Sequence, residues 1–174
     1  GDRDARLPLA PAHHAIAAAL RQPGHRSGAI DHLTRTIGIL DGRPSEPGEL
    51  DARRLAARAR KRLGSLRAEL GDIAGSVALQ QEALRLSEAL AAEHPLNQSL
   101  RNDVAMCYID LGRVYLSTDR AAEALRHYQR AEAITRSMVE ADPRDAQARW
   151  LNGLELNSIG LALTALRRTD AAVA

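Results

Sequence analysis

The sequence contains no phenylalanine, one tryptophan, three tyrosines and one cysteine in 174 residues. An aromatic content of 2% leaves little with which to stack nucleic-acid bases. The lone Cys107 forbids an internal disulfide and suits a reducing compartment, so a cytoplasmic location is expected. No apolar run approaches the roughly 20 residues needed to span a bilayer, and no membrane partner is expected. The net charge of +2 excludes a polycation that would coat nucleic acid. β-Branched and aromatic residues, which strands favour, are sparse. The opening Gly1-Asp2-Arg3-Asp4 is polar, with neither a methionine nor a signal-peptide core, and the chain is read as a piece of a longer protein.

Chemistry-bearing motifs are missing too. There is no HExxH, paired CxxC, Gly-rich phosphate loop, nucleophile elbow or kinase signature. Of the six histidines, His13 and His14 are adjacent. On a helix adjacent residues point about 100° apart, which is poor geometry for sharing an ion. Cys107 reads as a small packing residue. Gly24-His25-Arg26-Ser27-Gly28 reads as a turn. No metal, cofactor or catalytic residue is expected, and the chain is not read as an enzyme.

What is present is helix-forming and periodic. Hydrophobic residues make up 45%, and alanine, leucine and arginine dominate. Lys61 is the single lysine, a coding bias of the kind seen in GC-rich bacterial genomes. The chain repeats at a step of 48: Pro47, Pro95 and Pro143; Leu63, Leu111 and Ile159; Gly64, Gly112 and Gly160; Arg53, Arg101 and Arg149; Ala83 and Ala131; Ser76, Ala124 and Ala172. Each unit reads as two helices. Val104, Tyr108, Leu111 and Tyr115 fall on one helical face; Ala124, Leu125, Tyr128, Ala131 and Ile134 fall on another. Ser117-Thr118-Asp119 breaks between them, and Asp142-Pro143 ends the pair. Antiparallel pairs are predicted as 8–21 with 27–40, 49–70 with 73–92 and 97–117 with 121–141, then a lone helix near 145–166. A glycine inside a helix costs about 1 kcal/mol relative to alanine. Glycines at 64, 112 and 160 therefore predict close approach of a neighbouring helix at each.

Tyr108, Leu111, Gly112, Tyr115, Ala124, Tyr128 and Ala131 resemble the consensus of the tetratricopeptide repeat. The unit 49–96 keeps Leu63, Gly64 and Ala83, with Arg60 and Arg67 where aromatics are usual. The unit from 145 keeps Ile159, Gly160 and Ala172. A degenerate repeat covers about 8–40 through His13, Ile16, Ala17, Leu20, Gly24, Ala29, Leu33 and Thr36. Domains are thus read as one array over 1–174: 8–40, 49–96, the best-matching 97–144 and a truncated 145–174. The resemblance implies an all-α, right-handed superhelix of antiparallel helix pairs, an α-solenoid. Long units ending in Asp-Pro are similar to those of bacterial multi-repeat signalling proteins, including regions that follow serine/threonine kinase domains.

In such proteins the first helices line a concave groove that holds a peptide or protein surface. By register the groove positions are Arg58, Lys61 and Ser65, then Met106, Ile109 and Arg113, then Leu154, Asn157 and Leu161. Relatives that grip a C-terminal carboxylate use a Lys-and-Asn clamp; Lys61 matches it, and Ser65 stands where Asn is expected. Residues 53–67 carry Arg53, Arg54, Arg58, Arg60, Lys61, Arg62 and Arg67 without one acid, so the rest of the chain is net acidic. A structural role in ion pairs or a solvated face explains such a run; a functional one is a surface, including Arg62, for an acidic partner. The leading reading is a protein-interaction module within a larger bacterial protein. The alternative is a regulatory segment of a transcription factor or other nucleic-acid-associated protein, against which stand the low charge and few aromatics. Leu156, Ile159 and Leu163 would be covered by a second helix in a full pair. An uncovered apolar patch, or self-association through it, is therefore expected.

Overall fold

A computed structural model of the chain describes residues 8–20, 22–41 and 49–173. Pro47 and the opening Gly1-Asp2-Arg3-Asp4 lie outside the described residues, and so do the side chains past Arg168, Ala172 among them. Seven α-helices and no strand occur among the described residues: α1 Leu9–Ala19, α2 Arg26–Asp41, α3 Leu50–Glu69, α4 Ile73–Glu93, α5 Gln98–Leu116, α6 Ala121–Ala141 and α7 Ala146–Val173. A 3-10 turn, Pro23–His25, precedes α2. The last helix runs to Val173 rather than stopping near 166. Nothing between those positions is a breaker: there is no proline, and no glycine after Gly160.

The 48-residue step is written into the ends of the helices. Asn97 accepts hydrogen bonds from the Ser99 and Leu100 amides at 3.1 and 3.3 Å. Asp145, one period on, accepts from the Gln147 and Ala148 amides at 2.9 and 3.0 Å. Each satisfies amides that the first helical turn leaves without intrahelical acceptors. The turns between α3 and α4 and between α5 and α6 each carry one residue in the left-handed region, Gly71 at φ 84° and Asp119 at φ 58°. Glycine adopts it freely, and Asp is among the few other residues that tolerate it.

Packing gathers the chain into two compact units, Gly1–Leu86 and Ser87–Ala174, divided within α4. In the first, α1 and α2 run antiparallel: Thr36 donates to the Ala10 carbonyl at 3.5 Å, and the His13 and His32 Nδ1 atoms are 2.8 Å apart. Its core joins Ala17, Ala29, Leu33, Ala59 and Leu63, all buried. The first half of α4 returns along α3, with Arg67 Nη1 on Asp72 at 2.5 Å and Arg60 Nε on Glu82 at 2.8 Å.

In the second unit α5 and α6 are antiparallel. Arg101 donates to Ser137, and Tyr115 stacks on His127 with centroids 5.1 Å apart. Ala124 and Ala131, without side-chain bulk, are fully buried along α6. Tyr128 fills the remaining depth. A Cβ added at Gly112 would lie 2.6 Å from Tyr128 Cε1, inside van der Waals contact, so the glycine is what admits the ring. Gly64 plays the same part against Gln80, at 2.9 Å. Gly160 departs from the expectation, since nothing lies within 4 Å of its added Cβ.

The α6–α7 contact buries a polar pair. Glu155 is 0% exposed; its Oε2 accepts from the Thr135 hydroxyl and its Oε1 has no partner. Asn152 Nδ2 donates to the same hydroxyl at 3.2 Å. Burial, reinforced by Glu132 and opposed by the Thr135 hydrogen bond, pushes the Glu155 carboxyl up to about 7. Glu132 is itself engaged by Arg136 at 3.6 Å.

Gly112→Leu is expected to overpack the Tyr128 contact and cost roughly 1–3 kcal/mol in a thermal or urea melt. A wild-type melt would show that the glycine has no packing role. The Glu155 carboxyl titrates at 4.5 when free and near 7 when folded, so the folded chain binds the extra proton between those values. Stability should therefore be highest below about pH 4.5 on this account, and decline as pH rises to 7 by roughly 3 kcal/mol. Glu155→Gln should abolish that component and raise the melting temperature at pH 8. A variant melting as wild type at both pH 5 and pH 8 would refute it.

Candidate functional site

The groove positions fall in both units and are taken unit by unit. On α3, Arg58 is exposed, and Lys61, Arg62 and Ser65 are half-buried. Helical spacing puts Arg58, Lys61, Arg62 and Ser65 on one side, because residues three and four apart are neighbours. That side lies near α1: the Arg62 guanidinium donates to the Ala18 carbonyl at 3.4 Å. Burial, then Arg62, then Arg58, holds the His14 imidazole below its usual value. Arg58, Lys61 and Arg62 also interact within the chain. Ser65 donates to the Lys61 carbonyl at 3.2 Å and accepts from Gln80 at 3.4 Å.

Two members of the basic run are structural. Arg60 is 6% exposed, and its guanidinium is held by Asp41, by Glu82 and by the Ala56 carbonyl at 3.3 Å. Arg67 is tied to Asp72, whose carboxyl this pairing, followed by the Gly75 amide, holds below its usual value. The absence of acids within 53–67 hid these pairs, because the acids arrive from α2 (Asp41), from the middle of α4 (Glu82) and from the turn before α4 (Asp72). The ion-pair account therefore covers Arg60 and Arg67.

On α5, Met106 is half-buried. Arg113 is exposed and ion-paired with Asp110 one turn back. Ile109 is only 4% exposed and offers a partner no surface, which corrects its assignment to the groove. An apolar β-branched residue flanked by the buried Ala105 and Val114 belongs to the core. Tyr108 is half-exposed, and its hydroxyl donates to Glu88 at 2.6 Å. Burial and this acid raise its pKa to about 12. A cavity of about 450 Å³ adjoins it, with Val104, Ala133 and Ile134 among its apolar walls and Arg101 and Arg130 among its charged ones.

On α7, Leu154 and Leu161 are 36% and 55% exposed, and Asn157 between them is exposed. Trp150 is 65% exposed and sits four residues before Leu154, hence on the same helical face. It was absent from the sequence-derived set, although the four-residue step to Leu154 pointed to it. Trp150, Leu154 and Leu161 form an apolar strip on the surface of one helix. Among the described residues no group of three or more His, Cys, Asp or Glu side chains could hold a metal ion, and no helix is long and apolar enough to cross a membrane.

Residues 104–145 match the tetratricopeptide repeat family. The structure of the yeast histone chaperone Hif1, described as a scaffold protein recruiting protein complexes to core histones, is similar at a TM-score of 0.61. Identity is 17%, over 79% of this chain and 55% of that one. The chain thus spans little more than half of that protein. The MamA protein structure aligns over 94% of this chain and 90% of its own at 19% identity, with a TM-score of 0.34. No curated protein matches the sequence. Together with the seven described helices, the family match over 104–145 and the likeness to Hif1 show an all-α fold of tetratricopeptide-like helix pairs.

Arg60→Ala is expected to destabilise the first unit by about 1.5–3 kcal/mol, because it removes a charged hydrogen-bonding group from two acids that remain partly exposed. A urea midpoint unchanged from wild type would return Arg60 to the set of candidate binding residues.

Proposed function

We propose that the chain binds another protein through its first-position helices, each unit offering its own surface, cationic on α3 and largely apolar on α5 and α7. In the first unit Arg58, Lys61 and Arg62, with Ser65, form the cationic surface. In the second, Met106, Arg113, Leu154, Asn157 and Leu161 supply a mixed surface, to which we add Trp150. The observation that carries the reading is the strip Trp150, Leu154 and Leu161. Three large apolar side chains at helical spacing are left in water on a helix whose opposite face is well buried through Ala148, Leu151 and Ala162. Exposed apolar patches rimmed by polar groups mark protein-binding surfaces, and tryptophan is over-represented among the residues that dominate binding energy.

The nucleic-acid reading has less support. Arg60 and Arg67 are engaged by acids, which reduces the cations on α3 open to phosphate, and Tyr115 and Tyr128 are buried. The 48-residue period, the Asp-Pro ending and the coding bias support a place in a larger bacterial signalling protein.

Binding is read by fluorescence anisotropy of labelled peptides that carry three or more acids around a pair of leucines, at low and at physiological salt. Binding should weaken with salt, since exposed charges are screened over about 8–10 Å at that ionic strength. Arg58→Glu with Lys61→Glu, and separately Trp150→Ala, should each lower affinity at least about tenfold, or roughly 1.4 kcal/mol, with the melting temperature unchanged. Wild-type affinity in both variants overturns the assignment. Unfolding of the double variant would show that these side chains are structural ion-pair partners.

A further inference from the structure

The cavity beside Tyr108 recurs one repeat earlier with a different content. In the first unit a cavity of about 330 Å³ has Leu40, Arg53, Arg60 and Glu82 in its lining. Their counterparts 48 residues on, Glu88, Arg101, Tyr108 and Arg130, line the cavity of about 450 Å³ in the second unit. In the first, the chain supplies its own counter-charges, since Asp41 and Glu82 hold the Arg60 guanidinium. In the second, Tyr108 takes the place of that arginine and Arg130 the place of Glu82. The acid that held a cation is gone, and a cation stands at its position.

The second cavity has two polar ends and an apolar middle. Arg101 donates to Ser137 at one end; Tyr108 donates to Glu88 at the other, where Arg130 also lines the wall. Arg101 and Tyr108 are seven residues apart on α5, about 10 Å at 1.5 Å per residue. Between them Ala91, Val104, Ala133 and Ile134 form the wall. At the Tyr108 end the charges of Glu88 and Arg130 offset each other. At the other end the half-buried Arg101 guanidinium meets a hydroxyl and, among the described residues, is paired with no acid. The acids nearest in sequence, Glu93, Asp103, Glu132 and Glu140, do not line the cavity. Of these, Glu132 is engaged by Arg136, and Glu93 and Asp103 interact within the chain.

We propose that this cavity binds a small carboxylate with an apolar body, its carboxylate on Arg101, its body along Val104 and Ile134, and its far end at Tyr108. The volume lies within the range of about 300–1,000 Å³ of small-molecule sites, which are mostly apolar with a few placed polar groups. The planar fork of an arginine takes a carboxylate through two parallel N–H···O bonds. A cleft with a side-chain hydrogen bond across each end suits a short free molecule better than an extended peptide, which continues past both ends. The site goes beyond the protein-binding surface proposed above and does not depend on it: Val104 and Tyr108 fall on a different side of α5 from Met106 and Arg113.

Octanoate is the probe, titrated into the full chain by calorimetry and followed in amide NMR spectra. Acetate supplies the head without the body, and octylamine the body with the opposite charge. Octanoate is expected to bind with a dissociation constant of about 1 mM or tighter and to shift the amides of Val104, Tyr108 and Ile134, while acetate and octylamine do neither. Arg101→Gln should lower the affinity at least about tenfold. Ala133→Phe, which fills the cavity from an exposed position, should abolish binding with the melting temperature unchanged. Trp150→Ala, and Arg58→Glu with Lys61→Glu, should leave octanoate binding as in wild type, so the two sites fail separately. The proposal is overturned if octanoate does not bind, or if octylamine binds as well as octanoate does; neither result needs a variant. It is also overturned if the Arg101→Gln or Ala133→Phe chain binds octanoate as wild type does.

Discussion

The contact on which the second unit turns is a tyrosine ring lying against bare backbone. Tyr128 reaches α5 only because residue 112 carries no side chain; with a Cβ there the ring would have to move or the helices separate. A glycine inside a helix weakens that helix, and burial of a ring against its partner offsets the loss. Gln80 over Gly64 repeats the arrangement with a flexible side chain in place of a rigid one. The columns around each glycine follow from it. Alanines at 83 and 131 are fully buried, because helices held this close leave no room for larger groups. The left-handed residue at 71 and 119 brings the second helix back at the required register.

Contacts between successive pairs follow a second rule, in which polar groups sit inside. Ser87 meets Cys107 at 3.7 Å, and one period later Thr135 meets Glu155. The same two columns thus hold a thiol in one place and a carboxyl in the other. The substitution is not conservative in its physics. A thiol is a small hydrophobe, whereas a carboxylate without full hydrogen bonding is costly to bury and answers by keeping its proton. Glu155 makes one repeat contact sensitive to pH while its equivalent at Cys107 carries no such acid.

Function, on the reading proposed above, is confined to what these two rules leave over. Once α7 has buried Ala148, Leu151, Glu155 and Ala162 on its inner side, the face through Trp150, Leu154 and Leu161 remains and offers large side chains to a partner. Along α3, Arg60 and Arg67 hold the fold through acids, while Arg58 and Arg62 act on His14 of α1 and, with Lys61, also interact within the chain.

Much of the architecture could be read in the sequence, because it depends on local chain geometry repeated in register. Three- and four-residue spacing of apolar residues located the helices, Ser117-Thr118-Asp119 marked a turn, and the 48-residue step related one pair to the next. What escaped depended on the neighbours a position acquires. Ile109 belongs to a groove column and is buried; Trp150 was outside the chosen columns and is exposed. Arg60 looked like part of a cationic surface until Asp41 and Glu82 reached it from other helices. Gly64, Gly112 and Gly160 are identical as letters and as helix positions. Periodicity states which side of a helix a residue occupies, but the presence of another helix on that side is a property of the tertiary structure. That is why the sequence alone determined the helix pairs and their step, while only the folded chain decided which faces were covered.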